Sequence, residues 1–355
     1  MIVKTKSLCE ICLPKQWKTI STDMLTDEGY PVYGANGVIG FYPEYNHKEP
    51  TLLITCRGAT CGALNICEPY SYVNGNAMAL DNLTGEVDIK YLYYFLLNRG
   101  FDDVITGSAQ PQIVRQSLQK VSVTYPELEK QAETVSTLEK ISMLITMRKE
   151  QLAKLDQLVK SRFIELFGDG HDGKTPTKML CSICKFQQGT QIPVEEQFEK
   201  QIAGYKRFLR IIDYTQAPQP PRYVSVNGKE VDEKSVVIVR YGATAGFVGR
   251  GYQGILANNL FEIIPDEKIL SKDFLFLALK YGTFEEDVHT KAFGAAMPAL
   301  SFSMMNDISV VVPVMEQQNA FVTFVKQTDK SKLTIQASLD KLEVMKKALM
   351  QEYFG

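Results

Sequence analysis

Two cysteine pairs, Cys9/Cys12 and Cys181/Cys184, have the C-x-x-C spacing with which thiolates hold zinc. A four-thiolate site needs its pairs brought together, yet here each pair sits in its own copy of one segment, KSLCEIC (6–12) and KMLCSIC (178–184). The leucine, isoleucine and cysteine side chains of these segments serve equally well as apolar packing at the entry to a domain. Cys56, Cys61 and Cys67 have no histidine nearby, and His47, His171 and His289 are scattered. The expectation is that no metal is bound.

Two glycine-rich stretches follow apparent strands: RGATCG (57–62) and RYGATAG (240–246). Neither is a phosphate-cradling GxxxxGK[ST] loop or a GxGxxG turn. They read as tight turns that use the φ freedom of glycine. They also read as mounts for Arg57 and Arg240, whose guanidinium groups could grip guanine or phosphate bidentately. The asparagine pairs in YVNGNAMAL (72–80) and GILANNLFEI (254–263) could read adenine, or could serve turn chemistry. KRFLR (206–210), with Tyr205 and Phe208 beside its charges, could touch phosphates or form a solvated helix edge.

Catalytic signatures are missing. There is no NPPY or FxGxG methyltransferase motif, no P-loop, no G-x-S-x-G elbow and no HExxH, and the carboxylate clusters Asp102/Asp103 and Glu285/Glu286/Asp287 lie in ordinary charged contexts. At 355 residues, 45% apolar and 23% charged, the chain suits two or more globular domains. No apolar run approaches the ~18–20 residues that span a membrane, and the N-terminus lacks a signal-peptide core, so a cytoplasmic address is expected. Seven cysteines, an odd number, fit reduced thiols. Net charge is −2; residues 1–110 carry 8 basic and 12 acidic side chains, and residues 169–298 carry 16 of each. Bulk charge alone does not mark a nucleic-acid binder.

The elements that must position these groups repeat. Pro126–Gly168 reads as one long helix. Leu138, Ile141, Ile145, Leu152, Leu155, Val159 and Leu166 form a heptad seam with a polar gap at Arg148. From Glu127 to Phe167 this helix measures about 60 Å at ~1.5 Å per residue. The chain closes on a second one, 313–355, with Val325, Ile335, Leu339, Leu342, Leu349 and Tyr353 on its seam and polar interruptions at Thr328, Lys332 and Lys346. Phe167 and Phe354, Pro126 and Pro313, and Gln131 and Gln318 all stand 187 residues apart, as do VSVTYP (121–126) and ISVVVP (308–313). Ala109 and Pro111 match Ala296 and Pro298 at that offset too. Upstream the correspondence drifts, through GAT at 58–60 and 242–244 and Asn74 against Asn258. TLLIT (51–55), ALNIC (63–67), SVVIVR (235–240) and GFVGR (246–250) read as strands, and YLYYFLLNRG (91–100) and DFLFLALKYG (273–282) as matching helices ended by glycine. DGHDGKTPT (169–177) reads as a linker.

This order resembles the specificity (S) subunit of Type I restriction-modification enzymes. The resemblance rests on the twice-repeated globule and seam helix, and on VYGANGVIGFY (32–42), LITCRGATCG (53–62), GSAQPQI (107–113) and FIELFG (163–168). It implies an α+β chain with two β-rich target recognition domains, at 1–125 and 169–312. Two spacer helices, 126–168 and 313–355, would pair as an antiparallel coiled coil with internal pseudo-two-fold symmetry. It implies double-stranded DNA as ligand, each domain reading one half of a bipartite target and the coiled coil setting the gap. It further implies a non-catalytic chain that binds no cofactor itself. The partners would be two methyltransferase (M) subunits using S-adenosylmethionine and restriction (R) subunits using ATP and Mg²⁺. The polar residues near the turns form the candidate DNA-contacting set: Asn36, Arg57, Thr60, Asn74, Asn76, Gln110, Lys206, Arg207, Arg210, Arg240, Tyr241, Thr244, Arg250, Asn258 and Asn259. The acidic first globule suggests that M subunits supply much of the phosphate contact. A coiled-coil scaffold that binds proteins and not DNA is the alternative.

Overall fold

The computed structural model describes residues 3–107, 110–168, 173–216, 219–292 and 299–355. Ala109, His171, Ala296 and Pro298 lie outside them, as does the stretch 169–172. Contacts divide the chain into two compact units, Met1–Lys149 with Ala337–Gly355, and Glu150–Gln336. The division falls inside both long helices.

In the first unit a strand at the entry, Lys4–Ser7, pairs antiparallel with the last strand before the helix, Ser122–Tyr125. A four-stranded antiparallel sheet runs in the order Leu13–Gln16, Ala77–Asp81, Leu52–Thr55, Leu64–Ile66. A three-stranded sheet places Tyr30–Gly34 between Gly37–Tyr42 and a parallel neighbour, Tyr72–Val73. Helix Ile89–Arg99 begins at Asp88, whose carboxylate accepts from the Lys90 and Tyr91 N–H groups, and ends at Gly100. Tyr91, Leu92, Phe95 and Leu96 pack it against Leu52, Ile54, Met78 and Leu80 of the four-stranded sheet.

The second unit repeats this plan. Thr177–Met179 pairs with Ser309–Val311, and the order Cys184–Gln188, Leu260–Pro265, Val236–Val239, Val248–Gly249 matches the first four-stranded sheet strand for strand. The other sheet again holds one parallel pair, Lys206–Leu209 beside Gly254–Leu256. Arg222–Val224 and Glu230–Val231 flank that pair. Helix Lys272–Tyr281, capped by Ser271, buries Phe274, Leu275, Leu277, Ala278 and Leu279. KRFLR is therefore largely strand and not a helix edge, and Phe208 is core. Cys12 and Cys184 lie in the cores of their units, where burial pushes each thiol up to about 12. Their packing role is thus visible in the structure.

The long helices span Leu128–Phe167 and Met315–Phe354, each starting two residues after its proline. Gly168 closes the first with φ +77 and an N–H to the Ile164 carbonyl at 2.8 Å. Within each unit, half of one helix lies antiparallel to half of the other. In the first unit Leu138 packs with Met350 and Lys149 pairs with Glu343. In the second, Asp156 pairs with Lys332, and Phe163 meets Phe321 at 5.6 Å. Leu138, Ile141, Val159, Val325 and Leu339 are buried; Ile145, Leu152, Leu155, Ile335, Leu342, Leu349 and Tyr353 are half-buried. Leu166 departs from the expected seam and is 39% exposed. Beyond Val159 the buried positions run in steps of four, to Phe163 and Phe167, which turns that face toward Phe274 of the same unit. Phe354 does the same on Tyr91 and Phe95 in the first unit.

Gln131 and Gln318 are wholly buried and make the same bonds. Gln131 accepts from the Asp88 N–H and donates to the Glu86 and Pro126 carbonyls; Gln318 accepts from the Ser271 N–H and donates to Ile269 and Pro313. Each glutamine ties the first turn of a long helix to the cap of the globule helix.

Glu86 braces the entry ribbon. The Tyr125 hydroxyl (2.7 Å) and Lys6 (3.1 Å) hold its carboxyl down at about 2. A depressed folded-state value stabilises above the unfolded value near 4.5 and is lost as pH falls toward 2. Acid unfolding between about pH 4.5 and 2 is expected to be less steep in Glu86→Gln, as read by circular dichroism. Identical acid profiles would remove Glu86 from this role.

Candidate nucleic-acid interface

The C-terminal end of the central strand Leu52–Thr55 gathers most of the first unit's candidate residues. After this strand the chain turns through Gly58 (φ +88) and Gly62 (φ +90), with the Gly62 N–H on the Thr55 carbonyl at 2.8 Å. A side chain at either glycine would strain the turn. Arg57 and Thr60 stand exposed on it. The Gly58 N–H donates to Pro111 and Arg57 bridges Gln112, so Gln110 lies on an adjoining exposed segment. The Cys56 N–H donates to the Asn76 carbonyl at 3.1 Å, and the Thr55 hydroxyl donates to the Ala35 carbonyl next to Asn36. Asn36, Arg57, Thr60, Asn76 and Gln110 thus share one sheet end, all exposed.

Asn74 does not join them. It is 3% exposed, its Oδ1 accepts from the Ile20 and Gly75 N–H groups, and its Nδ2 donates to the Ile20 carbonyl. Every polar atom of its side chain is used to hold a turn.

The equivalent end in the second unit follows Val236–Val239. Gly242 (φ +89) and Gly246 (φ +92) repeat the turn, and Gly246 N–H again returns to the strand's last carbonyl, Val239. This geometry makes Tyr241 the counterpart of Arg57, and Arg240 the counterpart of the buried Cys56. The Arg240 N–H donates to the Asn259 carbonyl as Cys56 does to Asn76, and Leu300 donates to Arg240 as Ile113 does to Cys56. The Leu260 N–H donates to Ala257 as Ala77 does to Asn74. Asn259 therefore corresponds to Asn76, and Asn74 corresponds to Ala257, not to Asn258. Thr244 and Tyr241 are exposed; Arg240, Asn258 and Asn259 are half-buried.

The other basic candidates are engaged elsewhere. Lys206 pairs with Glu230. Arg207 (3.2 Å) and Arg210 (3.0 Å) share the buried Asp213, and Arg207 also lies over the Tyr252 ring at 4.4 Å. Arg250 pairs with Asp273 at 3.0 Å and stacks over Phe276. Burial pushes the Asp273 carboxyl up, but Lys326 and Arg250 outweigh it and hold it below its ordinary range. Arg207 and Arg210 thus brace the fold where KRFLR suggested phosphate contacts, and Arg250, of the general DNA-contacting set, braces it too.

Gln16 and Gln188 escaped the sequence reading. The Gln16 amide donates to the Gly75 carbonyl (3.2 Å) and the Cys56 thiol (2.9 Å); the Gln188 amide donates to the Asn258 carbonyl (2.9 Å). Both residues are exposed at the same sheet ends. The signal was present, since Gln16 and Gln188 continue the segments that repeat KSLCEIC as KMLCSIC, 172 residues on.

The arrangement offers amides, hydroxyls and guanidinium groups at an edge braced by backbone bonds. Such groups match the donor and acceptor pattern of base edges. Among the described residues no cluster of histidine, cysteine and carboxylate could hold a metal, and no helix is long and apolar enough to cross a membrane.

Comparison with known proteins gives consistent matches. The sequence model of the Type I restriction modification DNA specificity domain matches residues 1–157 and again 179–344. The chain is 27% identical over 146 residues to the Type I restriction enzyme EcoprrI specificity subunit of Escherichia coli, covering 40% of this chain and 36% of that protein. It is 23% identical over 158 residues to the Type I restriction enzyme MjaVIII specificity subunit of Methanocaldococcus jannaschii, covering 44% and 36%. The matches thus span about a third of the length of these curated relatives. The fold is similar to the S subunit of the Type I restriction-modification system from M. genitalium, with a TM-score of 0.62, 17% identity, and 100% and 96% of the two chains covered. A chain from a type I R-M system, studied for its complex assembly and conformational transition, gives a TM-score of 0.61 at 14% identity, over 99% and 97%.

Proposed function

The chain belongs to the family of Type I restriction modification DNA specificity proteins, and from that premise we propose that each of its two units reads one half of a bipartite duplex target, with the long helices fixing the gap between the halves. The family is non-catalytic, and its matched domain occurs here twice. The observation that supports the two-part reading is the repeated sheet end, built in each unit on the same turn, the same glutamine bond and the same backbone frame. The side chains on that frame differ, with Arg57 against Tyr241 and Gln112 against Ala299, as two different half-sites require.

A duplicated reader suits half-sites about one helical turn apart, ~34 Å. A helix of about 60 Å is long enough to set that distance. The acidic first globule and its engaged lysines favour partners that supply phosphate contacts. Methyl transfer from S-adenosylmethionine, and ATP- and Mg²⁺-dependent cleavage, belong in this reading to M and R subunits. Two M subunits match the two-fold repeat.

Methylome sequencing of a host expressing the chain with its methyltransferase subunits is expected to return a two-part motif. Exchanging residues 178–298 for those of another family member is expected to change one half only. A single contiguous motif, or simultaneous change of both halves, contradicts the proposal. Failure of the complex to shift any duplex in a gel would favour a protein-binding scaffold.

A further inference from the structure

Most arginines of the two globules are used inside the fold. Arg99 grips Asp103 with two bonds, at 2.7 and 3.0 Å. In the second unit Arg207 and Arg210 share Asp213, Arg222 pairs with Glu199 and Arg250 with Asp273. Among the described residues no carboxylate pairs with Arg57 or Arg240, and these two stand at corresponding sheet ends.

They reach that place by different routes. Arg57 projects, exposed, from the position just before Gly58. In the second unit Tyr241 holds that position, and Arg240 comes from one residue earlier. The Arg240 guanidinium lies 4.9 Å from the Tyr241 ring centre and 5.5 Å from that of Phe302, and its Nε donates to the Leu300 carbonyl at 3.2 Å. The one-residue slip along the chain therefore still brings a guanidinium to the side chain that corresponds to Arg57. With Nε held, the two Nη groups keep the fork that matches paired acceptors.

Guanine offers such a pair in the major groove, O6 and N7. A phosphate would also accept, but the surroundings favour a base. The first globule carries more acid than base, and Lys4 and Lys6 are engaged by Glu86 and Lys90 by Glu139. The Arg57 turn is fixed by backbone bonds on both flanks, and the exposed amides Asn76 and Gln110 adjoin it. Rigid placement among amides serves readout more than charge neutralisation.

We propose that Arg57 and Arg240 each read one guanine through O6 and N7, so that each half of the duplex target contains a guanine assigned to one of them. The inference rests on the two-part recognition proposed above. Its test is methylome sequencing of the chain co-expressed with its methyltransferase subunits, for the unaltered chain, Arg57→Gln and Arg240→Gln. Alongside it, the purified complexes are bound to duplexes carrying 7-deazaguanine at each target guanine, which removes the N7 acceptor. Each substitution is expected to relax or redirect one guanine position in one half, leaving the other half and the gap unchanged. The unaltered complex should lose about 5- to 150-fold in affinity at that 7-deazaguanine, and the matching variant should be indifferent to it, a readout that stands even if methylation by the variant is too weak to map. Retention of every guanine, or a uniform fall at all sites with the motif intact, would overturn the inference and leave two-part recognition standing. An unaltered chain that yields no two-part motif would overturn both.

Discussion

Gln131→Leu is expected to destabilise the first unit by about 3 kcal/mol or more, at ~1–3 kcal/mol for each buried polar group left without its partner. Leucine nearly fills the volume of glutamine, so the loss is polar and not a cavity. The Asp88 N–H and the Glu86 and Pro126 carbonyls all lose the bond that Gln131 supplies. Gln131→Glu is expected to fail as well, because its second oxygen would face two carbonyls that need a donor. Gln318→Leu should do the same to the second unit, where Ser271, Ile269 and Pro313 stand in the equivalent places. Urea unfolding followed by hydrogen exchange in each unit measures both effects. A loss below about 1 kcal/mol in both variants would show that these bonds are replaced by water. The consequence reaches function, because the glutamine joins the globule's helix cap to the start of the long helix within each unit. A loosened joint should blur the motif before it abolishes binding.

The sequence carried the large elements because their signals are periodic or repeated. The heptad spacing, the bounding prolines and glycines and the fixed offset of 187 located both long helices within two residues of where they begin. It carried the site less completely, for reasons that are visible residue by residue. Asn74 and Asn76 look alike in YVNGNAMAL, and only the fold reveals that Asn74 spends its amide on Ile20 while Asn76 stays exposed. KRFLR looks like a phosphate patch until Asp213, a few residues on, is found neutralising two of its arginines. Leu166 and Phe167 compete for one helix face, and the winner is set by the aromatic cluster of Phe163, Phe274 and Phe321, which lies far away in sequence. Aligning the GAT triplets already sets Arg57 against Tyr241, one residue from Arg240, and the hydrogen bonds of Cys56 and Arg240 to the Asn76 and Asn259 carbonyls agree with that slip.

Removing one heptad from each long helix should have the most specific effect on function. The cut would fall between Leu138 and Leu158 in the first and at the antiparallel-matched stretch of the second. Seven residues are about 10 Å of helix axis, or about three base pairs at ~3.4 Å each. A whole heptad keeps the seam in phase, with a rotation of only ~20°. Neither sheet end is touched, so the side chains proposed to read bases are unchanged. The measurement is methylome sequencing of this double deletion beside the unaltered chain, each with its methyltransferase subunits. The expected motif keeps both half-site sequences and loses about three base pairs from the gap. The original gap, recovered with both half-sites intact, would contradict the claim that the helices measure while the two units read.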